Sequence, residues 1–271
     1  MPDNHIIVKL DFGNAFNSIR RDLVFDSIAV KIPELYCFVY ASCSSNPILT
    51  FRSRVILSKE GFQQGNPLSS LDFCDTIHPI LSSLNSDLRI GFMDDFSLSG
   101  EVSVVTEDAE TLVCSAEETD LFFNASKCEI IANNVDIIKN LDTFKDFIRI
   151  ALYDMMLLGA PVLIGPAVDT LLQNKVGELK RAINRLKLLH SHDALVLLRN
   201  SLAMLKLLYT LRTSPCADNR ILSDFDETLK SGLTTILNVD ISNDQWLQAF
   251  LPVRNGGLGI RSAEMLAPST E

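Results

Sequence analysis

Hydrophobic and polar positions alternate first at the amino-terminal end. From His5 to Asp11, Ile6, Val8 and Leu10 fall on one side of an extended chain and Ile7, Lys9 and Asp11 on the other, which predicts a strand ending at Asp11. Apolar residues then recur at helical spacing over Arg20 to Ile32 and again over Pro33 to Cys43, with Pro33 suited to the first helical position. Two short alternating runs between Ile48 and Leu57, on either side of Arg52-Ser53-Arg54, predict a hairpin. A loop from Gly61 to Pro67 follows, and its proline opens a helix reaching about Leu84. Arg89 to Met93 and Phe96 to Leu98 read as strands joined at Asp94-Asp95, a turn without the usual glycine. Thr106 to Phe122 reads as a helix with an acidic face, and Lys127 to Ala132 as a returning strand. Beyond Pro166 only helical patterns remain, over Val168 to His190, Ala194 to Leu211 and Arg220 to Leu237. The expected class is α+β, with one domain over 1–165 and a helical one over 166–271.

Composition narrows this picture. At 271 residues and 47% hydrophobic the chain can bury a sizeable core. The six cysteines include no C-x-x-C pair and no histidine at zinc-finger spacing, so neither a disulfide framework nor a structural zinc is expected, and an intracellular, cytoplasmic or nuclear, setting fits. The most apolar stretch, Ile148 to Leu172, is interrupted by Arg149, Asp154, Pro161, Pro166 and Asp169, so no membrane partner is expected. The net charge of −10 opposes phosphate binding. That charge is uneven, however. Between Pro166 and Pro215 eight basic residues stand against three acidic ones. In the first helix of this region Val176, Leu179, Ile183 and Leu186 line one side, while Lys175, Lys180, Arg181, Arg185 and Lys187 lie away from it and could face a phosphate backbone. A solvated basic face is the plainer reading of the same pattern, and His190 and His192 read as surface residues.

Asp11, Asp94 and Asp95 are the candidate chemistry. Two Mg²⁺ ions about 3.5 to 4 Å apart need carboxylates gathered from separate parts of a chain, and strand ends and hairpin turns of one sheet can gather them. Singly, each aspartate reads as an ordinary turn residue. Their motif context says more. Asp11-Phe12-Gly13-Asn14-Ala15-Phe16-Asn17-Ser18-Ile19, Gln64-Gly65-Asn66-Pro67-Leu68-Ser69, Phe92-Met93-Asp94-Asp95, Asn124-Ala125-Ser126-Lys127-Cys128-Glu129 and Leu157-Leu158-Gly159-Ala160-Pro161 follow one another in a particular order. In that order they resemble the palm motifs of reverse transcriptases of the non-LTR retrotransposon type. Trp246, Leu251-Pro252 and Gly256-Gly257-Leu258-Gly259-Ile260-Arg261 resemble the region after the thumb in the same elements.

The resemblance implies a polymerase palm, an antiparallel sheet with helices packed on one face, followed by a helical thumb and C-terminal region. It implies template-directed DNA synthesis on RNA, with an RNA template, a DNA primer, deoxynucleoside triphosphates and two Mg²⁺ ions, for which Mn²⁺ can substitute. Asp11 and Asp94 would be the principal metal ligands and Asp95 a supporting carboxylate. Phe12, Phe16, Gln64 and Gly65 would lie at the nucleotide, with Phe16 filling the space of a ribose 2′-hydroxyl, and Lys127 would neutralise charge or deliver a proton. Phe16 could equally be core, and the Gln64-Gly65 run a plain loop. The chain departs from the pattern at Asn66, where the family has Asp, and with ten residues ahead of Asp11 where the resemblance implies a fingers segment, an amino-terminally truncated copy is the expectation. No endonuclease motif or zinc knuckle is visible. The alternative expectation is a catalytically silent palm that binds nucleic acid or a protein, and an RNA-directed RNA polymerase is a third, which Phe16 opposes.

Overall fold

A computed structural model describes residues 1–63, 65–138 and 141–270. The chain forms two compact units, Met1–Leu152 and Tyr153–Glu271. In the first, β1 (His5–Asp11) leads into α1 (Ala15–Ser18), α2 (Arg21–Lys31) and α3 (Pro33–Cys43), then the hairpin β2 (Ile48–Phe51) and β3 (Arg54–Leu57). Next come α4 (Ser69–Ser83), β4 (Leu88–Phe92), β5 (Asp95–Glu101), α5 (Val102–Glu117), β6 (Glu129–Ala132) and β7 (Ile148–Ile150). The sheet order is β4-β5-β1-β6-β7, antiparallel except for the β6·β7 pair. This is the expected α+β class.

The alternation in β1 carries the architecture. Ile6, Val8, Leu10 and Phe12 are buried with Phe96 and Leu98 of β5 and Ile130 of β6, whereas Ile7, Lys9 and Asp11 are half-exposed. Against the buried side α5 presents Val105, Ala109, Leu112 and Ala116, and α4 presents Phe73 and Ile77. The helix α5 starts and stops earlier than its pattern suggests. Strand β5 runs directly into it, and Asp120, in the left-handed conformation at φ 59°, ends it while the amides of Thr119 and Leu121 return to the Ala116 carbonyl. Gly61 has a specific reason to be glycine: its φ is +60°, and a Cβ there would lie 2.2 Å from the Asn17 backbone. That close approach lets the Gly61 amide reach the Ile19 carbonyl at 3.1 Å and seats Gly61 and Phe62 on the turn after β1.

The second unit begins with the short strands β8 (Met156–Leu157) and β9 (Ala160–Pro161), whose loop residues Leu158 and Gly159 both have positive φ (48° and 80°), a type I′ hairpin. Helices α6 (Pro166–Leu186), α7 (Ser191–Leu197), α8 (Met204–Thr213), α9 (Ile221–Leu237), α10 (Asn243–Ala249) and α11 (Ala263–Thr270) follow around their own core. The pattern from Ala194 to Leu211 is not one helix. A π-turn at Leu198–Leu202 and an unusual Ala203 (φ −98°, ψ −105°) divide it. Ser191–Thr213 is also the one described stretch long and apolar enough to cross a membrane, rather than the Ile148–Leu172 stretch. Its Ala194, Leu198, Met204, Leu207 and Leu211 are buried in the helical core, which accounts for its apolar character.

Two buried carboxylates, one in each unit, are fully met by donors, and a third is not. Asp226 accepts from the Ala263 amide at 2.7 Å and from Ser262 Oγ, capping α11, and Asp108 accepts from the Asn85 and Ser86 amides and the Ser86 hydroxyl. Asp72, on α4 and only 1% exposed, has an Oδ1 with no hydrogen-bond partner among the described residues. Its neighbour Asp75 takes the nearby donors, Ser27 Oγ at 2.7 Å and Lys31 Nζ at 3.1 Å. Desolvation, and secondarily the Asp75 charge, raise the Asp72 carboxyl from 3.8 to about 6. Between these values the native state binds the extra proton, so stability should fall as pH rises from about 4 to about 6, by on the order of 2 to 3 kcal/mol. Asp72→Asn should remove that slope and melt higher than the parent at pH 7. Denaturant unfolding at pH 4 and pH 7 checks this, and an unchanged slope in the variant would refute the assignment.

Candidate active site

Asp11 and Asp95 are register partners across β1 and β5. Directly opposed residues of an antiparallel pair project to the same face, with Cβ atoms about 4.5 to 5.5 Å apart, so both carboxylates leave the sheet on the side opposite Leu10 and Phe96. Asp94 sits beside them. Phe92 pairs with Asp95, which leaves Met93 and Asp94 as the two-residue loop. The turn is therefore one residue earlier than the Asp94-Asp95 turn expected from the pattern, and Asp95 belongs to the strand. Met93 takes the positive φ (56°) that glycine usually supplies at the first loop position, a conformation costing on the order of 1 kcal/mol or more.

The end of β1 is held by backbone bonds from two other segments. The Asn124 amide donates to the Asp11 carbonyl at 2.9 Å, the Gly13 amide donates to the Phe122 carbonyl at 2.8 Å, and the Asp11 amide donates to Cys128 Sγ at 3.5 Å. From the hairpin side, the Phe12 amide reaches the Asp94 carbonyl at 3.5 Å. Phe12 stacks on Phe123 at 4.2 Å and meets Phe96 edge-on at 5.0 Å. It is core. The alternation that exposes Asp11 turns Phe12 inward, so the expected nucleotide contact at Phe12 is replaced by a packing role.

Charge on the open face is dense and mixed. Lys127, 63% exposed, brings Nζ to 3.6 Å from Asp11 Oδ1, an ion pair too long to be a hydrogen bond, and that oxygen has no hydrogen-bond partner among the described residues. Lys9 pairs with Glu129 at 2.6 Å across β1 and β6. Partial desolvation, then Asp94, then Asp11 hold the Asp95 carboxyl above the ordinary range, offset in part by Lys9 and Lys127. Burial pushes the Cys128 thiol up. Lys9 was not singled out from the sequence, although its place two residues before Asp11 puts it on the same face. Its partner depended on the register of β6, which no local pattern reveals.

The donor set suits a hard divalent cation: carboxylate oxygens, one of them an orphan, carrying repulsion that a cation would relieve. Among the described residues, however, no three acidic, histidine or cysteine side chains are drawn close enough together to form a metal-binding group. Of the nucleotide candidates, Phe16 is 7% exposed and stacks on Phe73 at 4.9 Å. Gly65 has φ +92° with open space where a Cβ would be, and Gln64 lies outside the described residues. In the second unit, Lys175 pairs with Glu178 at 3.5 Å. Lys180 and Lys187 line a groove of about 730 Å³ between α6 and α9 that Asp224 and Glu227 also line, and Arg181 and Arg185 are exposed. The basic side of α6 thus faces acids along part of its length.

The model of the family described as reverse transcriptase (RNA-dependent DNA polymerase) matches residues 1–142. The chain belongs to the reverse transcriptase family. Its antiparallel-rich sheet, with helices on the buried face and carboxylates on the open one, is the palm-type fold of that family, and the family's chemistry is polymerase chemistry. No curated protein matches the chain. Solved structures similar to this chain include telomerase from Candida tropicalis in complex with a TWJ fragment of telomeric RNA (10% identity, TM-score 0.41, 98% of this chain and 49% of that one). Telomerase from Candida albicans in complex with a TWJ fragment of telomeric RNA gives 13% identity and a TM-score of 0.39 over 87% of this chain and 44% of that one. An apo telomerase from Candida tropicalis gives 15% identity and 0.32 over 46% and 30%. The chain spans less than half the length of each telomerase chain.

If repulsion among Asp11, Asp94 and Asp95 is the dominant strain on this face, Asp95→Asn in metal-free buffer should raise the thermal midpoint by about 2 to 4 °C. Added Mg²⁺ should stabilise the parent more than the variant. A variant that melts lower than the parent without metal would show that Asp95 is a structural ligand of the fold instead.

Proposed function

We propose that the chain supplies the palm of an RNA-directed DNA polymerase of the non-LTR retroelement type, acting inside the cell. The observation that carries this reading is the cross-strand pairing of Asp11 with Asp95 next to Asp94 in the hairpin loop, within a chain of the reverse transcriptase family. Asp11 and Asp94 would hold two Mg²⁺ ions with Asp95 in support, and bound Mg²⁺ supplies acidification of a primer 3′-hydroxyl and stabilisation of the departing pyrophosphate. Lys127, exposed beside Asp11, is suited to neutralise or protonate the leaving phosphate oxygen. Phe16, braced against Phe73, would close the space beside the sugar 2′-carbon and favour deoxynucleotides. The template would be RNA and the primer DNA, with the exposed cations Arg181 and Arg185 of α6, together with Lys175, Lys180 and Lys187, as candidate backbone contacts.

Primer extension on a heteropolymeric RNA template with deoxynucleotides and Mg²⁺ tests this. Asp94→Ala and Asp11→Asn should each lower incorporation by roughly 1000-fold, the loss expected when several kcal/mol of charge stabilisation disappears. Lys127→Ala should lower it about 100-fold. Phe16→Val should raise ribonucleotide use relative to deoxynucleotide use. One observation favours a second reading, a silent palm that only binds nucleic acid: the carboxylates do not form a three-ligand group among the described residues. Retained RNA binding with no incorporation in either Mg²⁺ or Mn²⁺ would decide for it.

A further inference from the structure

A cavity in the second unit plays no part in the polymerase reading. It measures about 380 Å³ and lies between the π-turn region and the segment after α10. It is lined by the buried Met204 and Ile260, by Leu208 and Val253, and by the arginines Arg199 and Arg261.

Both arginines are positioned by backbone that has little freedom. Arg199 sits in the π-turn, where an extra residue per turn displaces it from regular helical spacing, a device common at functional sites. Its Nη1 donates to the Leu258 carbonyl at 3.4 Å and its Nε to Asn200 Oδ1 at 3.1 Å, which leaves Nη2 uncommitted. On the other side, the chain from Gly256 to Arg261 folds back on α10: the Leu258 and Ile260 amides both donate to the Ala249 carbonyl, and the Gly259 amide to the Leu251 carbonyl at 2.9 Å. Gly257 makes this possible, because a Cβ there would lie 2.0 Å from the Leu251 carbonyl oxygen. Gly259, at φ +67°, passes beside the Arg199 side chain.

No carboxylate lines the cavity, and among the described residues neither guanidinium forms an ion pair. With two arginines and no carboxylate in its lining, the cavity leaves that charge to be met by an anion from outside. The planar forks of the arginines match phosphate oxygens, and the apolar lining and volume suit a flat, partly apolar body of nucleobase size. We propose that this cavity binds a nucleoside phosphate unit, its base against Met204 and Ile260 and its phosphate across Arg199 and Arg261. The unit could be a free nucleotide or one nucleotide of a single strand. The site uses no residue of the Asp11 cluster and stands or falls independently of polymerase activity.

The test uses the full chain in EDTA, where no metal-dependent chemistry contributes. Titration calorimetry with adenosine monophosphate and fluorescence anisotropy with a labelled single-stranded RNA 12-mer are the two probes. At least one should bind, with Arg261→Gln and Arg199→Gln each weakening it about tenfold or more, and Arg261→Lys recovering only part of the loss because lysine lacks the fork. Binding of the 12-mer alone identifies the ligand as a nucleotide within a strand, and binding of both admits the free nucleotide. Arg199 braces Leu258, so Arg199→Gln could unsettle the fold. Arg261 is exposed with no protein partner among the described residues, and its variant, with an unchanged melting curve, keeps the test decisive. Affinities unaffected by Arg261→Gln, no binding of either probe at millimolar concentration, or binding of an acidic peptide in place of both would overturn the proposal.

Discussion

Three like charges confined to the end of one strand pair are the constraint around which the first unit is built. Repulsion between neighbouring carboxylates would spread them if the backbone allowed it. The backbone does not. Asp11 is tied through its carbonyl to Asn124 and through its amide to Cys128, Asp95 is locked into the β5 ladder, and Asp94 is carried by a loop that accepts an unfavourable Met93 conformation. Asn124 and Cys128 come from one motif and Asp94 and Asp95 from another, so motifs far apart along the chain act as parts of a single clamp. The lysines Lys9 and Lys127 take up part of the charge, while desolvation first and the neighbouring carboxylates second keep the Asp95 carboxyl above its ordinary range.

Much of this was legible before any coordinates, because the decisive features were local. The alternation through Ile6, Val8 and Leu10 foretold the buried face of β1, and it placed Lys9 and Asp11 together on the other. Pro33 marked the start of α3, and the leucine spacing of α6 marked its buried stripe. The failures were of other kinds. The hairpin turn was misplaced because Met93 adopts a backbone region that its side chain gives no hint of, and the helix pattern over Ala194 to Leu211 concealed a π-turn, which keeps apolar spacing nearly intact while shifting the register. The parallel strand β7 was not anticipated, being three residues long and paired at a distance. The inward orientation of Phe12 followed from the alternation itself, yet the motif drew attention to its position beside Asp11 instead.

The second unit shows how an acidic chain can still present cations usefully. On α6 part of the basic side lies along a groove it shares with Asp224 and Glu227, which limits its pull on phosphate. No acid lines the cavity beside Arg199 and Arg261, and Gly257 and Gly259 let the backbone pass close there. Net charge is thus a poor guide to local potential here, since what matters is which cations lack a neighbour of opposite sign.

The pairing of Asp11 with Asp95 has an evolutionary corollary. In a pleated ladder, sliding β5 by one position would turn Phe96 outward and drive a carboxylate into the hydrocarbon interior. Mistakes in the alignment of this strand are therefore penalised by packing before they can harm chemistry. Selection for a well-packed core thus also preserves the spacing of the acidic groups.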